Sequence, residues 1–149
     1  MFGCIVVGTD GSETAGEAVR QASDIAKLTG ARLDIVSAFE PIPQQRLREE
    51  VSTAPGDVQY EISPREDVNM TLDGAAGEAK RNGVDEVQTH AREGDPADAI
   101  IDVAEEIKAD LVVVGNKGMT GARRFLLGSV PNKVSHHAPC SVIIVRTTG

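Results

Sequence analysis

Apolar positions along the chain follow two different periods. Continuous apolar runs, typical of strands that are covered on both faces of a parallel sheet, lie at 4–8, 111–115 and 141–145. A fourth strand is predicted at 33–39, and a weaker, more polar one at 84–92 suits the edge of a sheet. Between these strands the apolar residues recur at helical spacing, which predicts amphipathic helices.

The first and third helices have recognisable ends. Ser12 or Thr14 is placed to cap the first helix, and Gly30 suits its C-terminal stop. Asp95 followed by Pro96 predicts the start of the third helix, because aspartate is a good N-cap and proline fits the first helical position. These signals fix where the connections between strands and helices begin.

Residues 40–66 follow neither period. Four prolines interrupt this polar stretch, so we expect a long, mobile loop with room for a helical turn at 44–52. Such a loop could also gate a site. A second helix follows, with an apolar stripe that begins at Val68 and a stop near Gly83. The last helix is expected to begin near Ser129.

Strands and helices therefore alternate along the whole chain, with five strands and four helices. This order predicts an open parallel sheet with helices on both faces. The 149 residues are the size of one domain, and no repeat or shift in composition divides them, so we expect a single domain over 1–149.

The balance of charge narrows the classes of function. Asp and Glu number 23 against 15 Lys and Arg, so the formal net charge is −8. An acidic surface repels nucleic acid, and aromatic residues amount to only 3% with no tryptophan for base stacking. No apolar run approaches the roughly 20 residues that a membrane span needs, and no basic leader stands at the N-terminus. We expect a cytoplasmic protein with neither nucleic acid nor membrane as partner.

Cysteine and histidine do not suggest a metal site. Cys4 and Cys140 lie far apart beside apolar runs, which is typical of buried, reduced thiols. His136 and His137 are adjacent on a predicted helix, so their side chains point about 100° apart and are poor joint ligands. His90 is isolated on the weak strand and is given no role.

Glycine-rich loops follow two of the predicted strands. In open sheets of alternating strands and helices, ligands bind outside the carboxyl ends of the strands where the strand order reverses. The loops at 8–12 and 115–121 both leave such ends. If the strand order is flavodoxin-like, the two loops are neighbours at the reversal. Neither is a Walker A sequence or a G-x-G-x-x-G fingerprint.

The second loop combines glycines with positive charge. Gly115 and Gly118 are separated by two residues, and nine more precede Gly128 and Ser129. Glycines let backbone N–H groups approach phosphate oxygens, and a serine at a helix start can bind the same anion. Three basic residues add positive charge in this otherwise acidic chain. Lys117 lies within the glycine-rich segment, and Arg123 and Arg124 follow it. The residues therefore indicate a polyphosphate cradle, or alternatively a glycine-rich turn with solvated basic residues.

This spacing resembles the G-2x-G-9x-G-(S/T) motif of the ATP-binding universal stress proteins. The similarity extends to 5–12, 109–115, 127–130 and 139–145, and so to essentially the whole chain. It implies a parallel sheet of order 3-2-1-4-5, a homodimer, and an adenine nucleotide bound across the first and fourth strands. The nucleotide implied is ATP, with or without Mg²⁺, while AMP and cyclic AMP stay open as alternatives.

The resemblance also implies a role for each matching residue. Pro131 departs from many family members and has no N–H for a phosphate. Lys117 and Arg124 carry positive charge beside the phosphate positions. By this correspondence, adenosine contacts Gly8, Thr9 and Asp10, adenine meets Ala38, ribose meets Val114 and Gly115, and phosphates meet Gly118, Gly128, Ser129 and Val130.

Three functions remain open on the sequence. The first is a non-catalytic nucleotide-binding regulator of the stress response, favoured because no base, nucleophile pair or metal cluster is evident. The second is a slow ATPase or autokinase with Asp10 or a bound Mg²⁺ orienting water. The third is a dimeric scaffold without nucleotide. The dimer is expected to pair the apolar strand at 141–145, which the implied order places at an edge of the sheet.

Overall fold

The computed structural model describes residues 2–40, 63–116 and 129–147, which form one layered α/β unit. Strands and helices alternate along these residues as the sequence predicts. The elements are β1 Cys4–Gly8, α1 Glu13–Thr29, β2 Arg32–Phe39, α2 Pro64–Arg81, β3 Val87–Glu93, α3 Pro96–Glu106, β4 Leu111–Gly115, α4 Ser129–His137 and β5 Ser141–Val145.

The five strands form one parallel sheet in the order β3-β2-β1-β4-β5, which confirms the predicted fold class. The chain builds outward from β1 through β2 to β3, then crosses back to place β4 on the other side of β1. Val7 of β1 is paired with Val113 of β4, so the carboxyl ends of these two strands lie side by side. The strand order reverses at that point, which is where such sheets bind ligands.

Helices cover both faces of the sheet and enclose two cores. One core joins β1, β2 and β4 to α1 and α2, with Ile5, Leu33 and Leu72 fully or almost fully buried in it. The other joins the opposite face to α3 and α4, with Val6 and Ile100 at its centre. β1 and β4 are continuous apolar runs because both of their faces are buried.

Helix ends follow the predicted capping chemistry closely. Ser12 is the N-cap of α1 and accepts a hydrogen bond from the Ala15 N–H at 3.2 Å, while Gly30 ends the helix with a left-handed conformation. Asp95 caps α3 in the same way through the Asp98 N–H at 3.0 Å. Capping thus sets where each loop leaves the sheet.

Two predicted boundaries were wrong. The loop predicted at 40–66 extends too far, because Ser63 caps α2 and Pro64 occupies the first helical turn, where proline is well tolerated. The remainder of that loop, 41–62, including the turn predicted at 44–52, lies outside the described residues. The third strand begins at Val87 rather than at Val84, which is buried in the core before the strand starts.

The edge strand β3 is attached to the sheet by a buried ionic group that sequence analysis missed. Asp34 of β2 is fully buried and accepts two hydrogen bonds from Arg32, at 2.7 and 2.8 Å. His90 of β3, which had been given no role, approaches the same carboxylate with its Nε2 at 2.7 Å. These three residues form the Asp34 network, which links β2 to β3 under α3.

The remaining candidates for chemistry have structural explanations. Cys4 and Cys140 are free thiols, half-buried rather than buried, and burial raises the pKa of each. His136 and His137 are exposed at the end of α4, and no group of three metal-ligating side chains occurs within the described ranges. Within those same ranges, no helix has the length and apolar character that crossing a bilayer requires.

Candidate functional site

The β1–α1 loop, residues 9–12, is organised by its own side chains. The Thr9 N–H donates to the Val36 carbonyl of β2 at 2.9 Å, and the Thr9 hydroxyl accepts from the Gly11 N–H at 3.1 Å. The Asp10 carboxylate accepts from the Ser12 N–H at 2.9 Å. Gly11 has a φ of 83°, a left-handed conformation that favours glycine. Hydrogen bonds within the loop and to β2 therefore organise its conformation.

The two side chains at the start of this loop differ in exposure. Thr9 is only 2% exposed and serves the loop internally, whereas Asp10 is exposed. One Asp10 oxygen receives the Ser12 N–H, and the other has no partner within the part of the chain that the structure describes. Asp10 is thus held in place and still has a free acceptor for a ligand donor.

The carboxyl end of β2 borders the same region. Val36 is paired with Gly8 of β1, so Ala38 lies two residues beyond the end of the β1 pairing. Ala38 is half-buried and packs on the side of the sheet that α3 and α4 cover. Ala38 therefore lies close to the carboxyl end of β1, with a small apolar side chain.

The carboxyl end of β4 is fixed by residues that sequence analysis did not select. Val114 is buried and Gly115 is half-buried beside Val145. Just beyond them, the Asn116 side-chain oxygen accepts from both the N–H and the hydroxyl of Thr147, at 2.9 and 3.0 Å. The amide of Asn116 directly after a buried strand was the available signal. These bonds hold the start of the β4–α4 loop against the chain after β5.

The β4–α4 loop itself, residues 117–128, lies outside the described residues. The predicted phosphate contacts at Lys117, Gly118, Arg124 and Gly128 fall there and stay predictions. The structure resumes at α4, which begins at Ser129 with Ser129 exposed and Val130 buried.

Pro131 lies in the first turn of α4 and is buried. It has no N–H, so the helix start offers a bound anion fewer backbone donors than usual.

An ion-pair group next to this edge joins α3 to α4. Lys133 of α4 contacts Asp98 at 2.7 Å and Asp95 at 3.5 Å, and the hydrogen bond that it donates to Asp98 raises the pKa of this lysine. The charge of Lys133 is therefore used to neutralise the acidic start of α3.

The described residues bring together Gly8, Thr9, Asp10, Ala38, Val114 and Gly115 at the carboxyl edge of β1, β2 and β4. Such an edge supplies an acceptor at Asp10 and apolar walls. This combination suits a nucleoside, whose flat base needs an apolar slot and whose ribose hydroxyls need an acceptor.

Comparisons with known proteins agree with this architecture. The model of the universal stress protein family matches residues 1–146. A universal stress protein of Mycobacterium tuberculosis is 38% identical over 97% of this chain and 96% of its own length. A putative universal stress protein of Staphylococcus haemolyticus is 35% identical over 96% of this chain and 84% of its own length.

Solved structures agree as well. A universal stress protein crystallised in complex with cAMP is 34% identical, with a TM-score of 0.74 and coverage of 99% of this chain and 98% of that one. UspA from Lactobacillus plantarum, at 24% identity and a TM-score of 0.78 over 97% of each chain, shows the same fold. The chain belongs to the universal stress protein family.

Proposed function

We propose that this chain binds an adenine nucleotide at the carboxyl edge of β1, β2 and β4 and acts as a non-catalytic regulator in the cytoplasm. The observation that carries the proposal is the β1–α1 loop, which is organised by its own hydrogen bonds and in which one Asp10 oxygen has no partner among the described residues. It lies where the strand order reverses.

Each part of the nucleotide has a matching part of the edge. Asp10 accepts from the ribose hydroxyls or the adenine amine, and Ala38 lines the adenine slot. Val114 and Gly115 back the ribose. The start of α4 at Ser129 and Val130, together with the loop residues Lys117, Gly118, Arg124 and Gly128, binds the phosphates, since a helix start and glycine N–H groups attract anions.

Two nucleotides compete for this site. The spacing of Gly115, Gly118, Gly128 and Ser129 favours ATP, with or without Mg²⁺. The similar structure in complex with cAMP favours cyclic AMP. Pro131 supports the second, because losing one N–H from the first turn of α4 matters less for one phosphate than for three.

Binding rather than turnover is proposed because turnover would require a base or a nucleophile pair. Asp10 offers only one free carboxylate oxygen. Its other oxygen is engaged by the Ser12 N–H at 2.9 Å. A slow ATPase would need a group that orients water, and hydrolysis abolished by Asp10→Ala would favour that alternative.

The regulator is further proposed to be a homodimer that pairs β5 with its copy. β5 lies at one edge of the sheet, and Val142, Ile143 and Ile144 are only half-buried. Pairing two such edges about a twofold axis would cover apolar surface and unpaired backbone groups. Sedimentation as a monomer at micromolar concentration would contradict this part of the proposal.

The proposal is tested by asking whether the purified protein retains a bound nucleotide. The protein is purified without added nucleotide and denatured, and the released small molecules are identified by mass spectrometry. We expect ATP, ADP or cyclic AMP near one per chain, and less from Ser129→Ala. An empty protein whose melting temperature does not respond to ATP, AMP or cyclic AMP would support the nucleotide-free scaffold instead.

A further inference from the structure

A cleft of about 350 Å³ lies between α1 and α2, on the face of the sheet opposite to Ala38. Gly16 of α1 and Gly74 of α2 line it, and the absence of side chains at both positions leaves the gap between the helices. Besides the two helices, the β1–α1 loop lines the cleft through Thr9, Gly11 and Ser12. The loop proposed to hold the nucleotide therefore has a second surface, which faces α2.

The loop touches α2 at one well-defined point. A methyl group built on Gly11 would lie 3.0 Å from Oγ1 and 3.1 Å from Cγ2 of Thr71. Distances this short mean that the end of the Thr71 side chain occupies the space beside the Gly11 Cα, with no room left for a methyl group. Gly11 also has a left-handed φ, and its N–H donates to the Thr9 hydroxyl at 3.1 Å, so the internal hydrogen bonding of the loop includes the residue that lies beside Thr71.

The helix that carries Thr71 is weakly anchored. Among the 18 residues of α2 only Leu72 and Ala79 are buried, whereas six of the 11 residues of α3 are. Met70 is 61% exposed. The ion pair from Arg20 of α1 to Glu78 spans 3.7 Å between exposed side chains, which contributes little. Together with the open cleft, these features let α2 shift at a lower cost than α3.

We propose that Thr71 is a positioning residue for the nucleotide loop. By packing against Gly11, Thr71 adds to the hydrogen bonds that already organise residues 9–12, and in this way α2 affects the affinity for nucleotide. A ligand or partner that moves α2 then changes nucleotide affinity from outside the site. The affinity part of this inference rests on the proposed function.

Two substitutions at Thr71 separate packing from hydrogen bonding. Thr71→Ala removes the two atoms that face Gly11, and since alanine is the better helix former it does not weaken α2 itself. Thr71→Val keeps Cγ2 and replaces the hydroxyl by a methyl group of similar size. Met70→Ala is the matched control, because Met70 lines the same cleft one residue away and is not among the atoms nearest Gly11.

The first readout needs no nucleotide. Amide hydrogen exchange of Gly11 and Ser12 is measured by NMR in each variant, alongside the melting temperature. We expect exchange roughly fivefold faster in Thr71→Ala, with wild-type rates in Thr71→Val and Met70→Ala. Wild-type exchange in Thr71→Ala would overturn the inference, and so would equal acceleration in Met70→Ala.

The second readout is the affinity for ATP and for cyclic AMP, measured by calorimetry. We expect roughly fivefold weaker binding in Thr71→Ala and rescue in Thr71→Val. Unchanged affinity in Thr71→Ala overturns the inference while leaving the proposed function intact. A wild-type protein that binds neither nucleotide overturns the proposed function and the affinity part of this inference, and exchange alone then decides whether Thr71 positions the loop.

Discussion

Asp10 and Asp34 lie on neighbouring parts of the same sheet and have opposite surroundings. Asp34 is fully buried on β2, and both of its oxygens are engaged by Arg32 and His90. Asp10 is exposed after β1, with one oxygen engaged by the Ser12 N–H and no cation beside it among the described residues. The first carboxylate is saturated by the protein, and the second is oriented but unsaturated.

This difference separates a structural carboxylate from one that is proposed to bind a ligand. A buried charge is tolerated only where partners compensate it, so removing one partner is costly. An exposed carboxylate whose backbone is fixed contributes little to stability, but it offers a ligand a positioned acceptor. We therefore expect substitutions at Asp34 to change the free energy of unfolding and those at Asp10 to change nucleotide affinity.

The largest expected effect is that of Asp34→Ala on stability. It leaves Arg32 and His90 without their shared partner, and the free energy of unfolding should fall by about 3 kcal/mol, the lower end for breaking a buried pair. The loss is limited because Arg32 remains within reach of water. Urea unfolding measures it, with the exposed Asp24→Asn of α1 as control. A loss no larger than that of the control would contradict the structural role of Asp34.

Asp10→Asn should act on binding instead. The asparagine oxygen can still accept from the Ser12 N–H, so the loop and the melting temperature should be preserved. If Asp10 accepts from the ribose as proposed, losing its negative charge should weaken nucleotide binding about tenfold, equivalent to about 1.4 kcal/mol. Calorimetric titration of wild type and variant checks this. Equal affinities in the two proteins would remove Asp10 from the proposed site.

The dependence of stability on pH should reveal the contribution of the buried Asp34 carboxylate. Burial by itself raises the pKa of Asp34, but hydrogen bonds from His90 and Arg32 outweigh it and hold the pKa below its usual range. A carboxyl whose folded pKa is depressed stabilises the fold above its unfolded pKa, near 3.9, and that stabilisation is lost as the pH falls through the folded value. Stability should therefore decline below about pH 4.5, and Asp34→Asn should show a flatter decline. Parallel profiles from urea unfolding at several pH values would contradict this linkage.

The smallest effect is expected at a second ion pair of the edge strand. Arg92 of β3 makes a two-pronged contact with Glu106 of α3 at 2.7 and 3.1 Å, but both side chains are substantially exposed. Glu106→Gln should cause a small loss of stability that disappears in 1 M salt, where the screening length is about 3 Å. A loss that persists in high salt would mean that this pair holds β3 as the Asp34 network does.

The fold could be predicted from the sequence because its signals are local. Apolar runs mark strands buried on both faces, and Ser12, Gly30 and Asp95 mark helix ends by chemistry that needs only a few neighbouring residues. The start of α2 was placed too late because proline was taken as a loop signal, whereas Pro64 follows the cap at Ser63 and opens the helix.

The Asp34 network could not be predicted in this way. Asp34 and His90 are 56 residues apart, and only the pairing of β2 with β3 brings them together. A charged residue inside an apolar strand indicates that a partner compensates its charge, but the sequence does not show which residue that partner is. The contact of Gly11 with Thr71 is of the same kind, because it depends on how α2 packs over α1. The residues of the β1–α1 loop could be proposed from the sequence because a sequence-local motif carries them, and their role in binding stays a prediction.

The location of nucleotide binding tests the central claim most directly. Backbone amide shifts of the wild-type protein are followed by NMR while ATP or cyclic AMP is added. The account predicts saturable shifts concentrated at residues 8–12, Ala38 and 114–116, with little change at Arg32 and His90. Saturable shifts centred anywhere else, or none with either nucleotide, would contradict the claim that this edge of the sheet binds an adenine nucleotide.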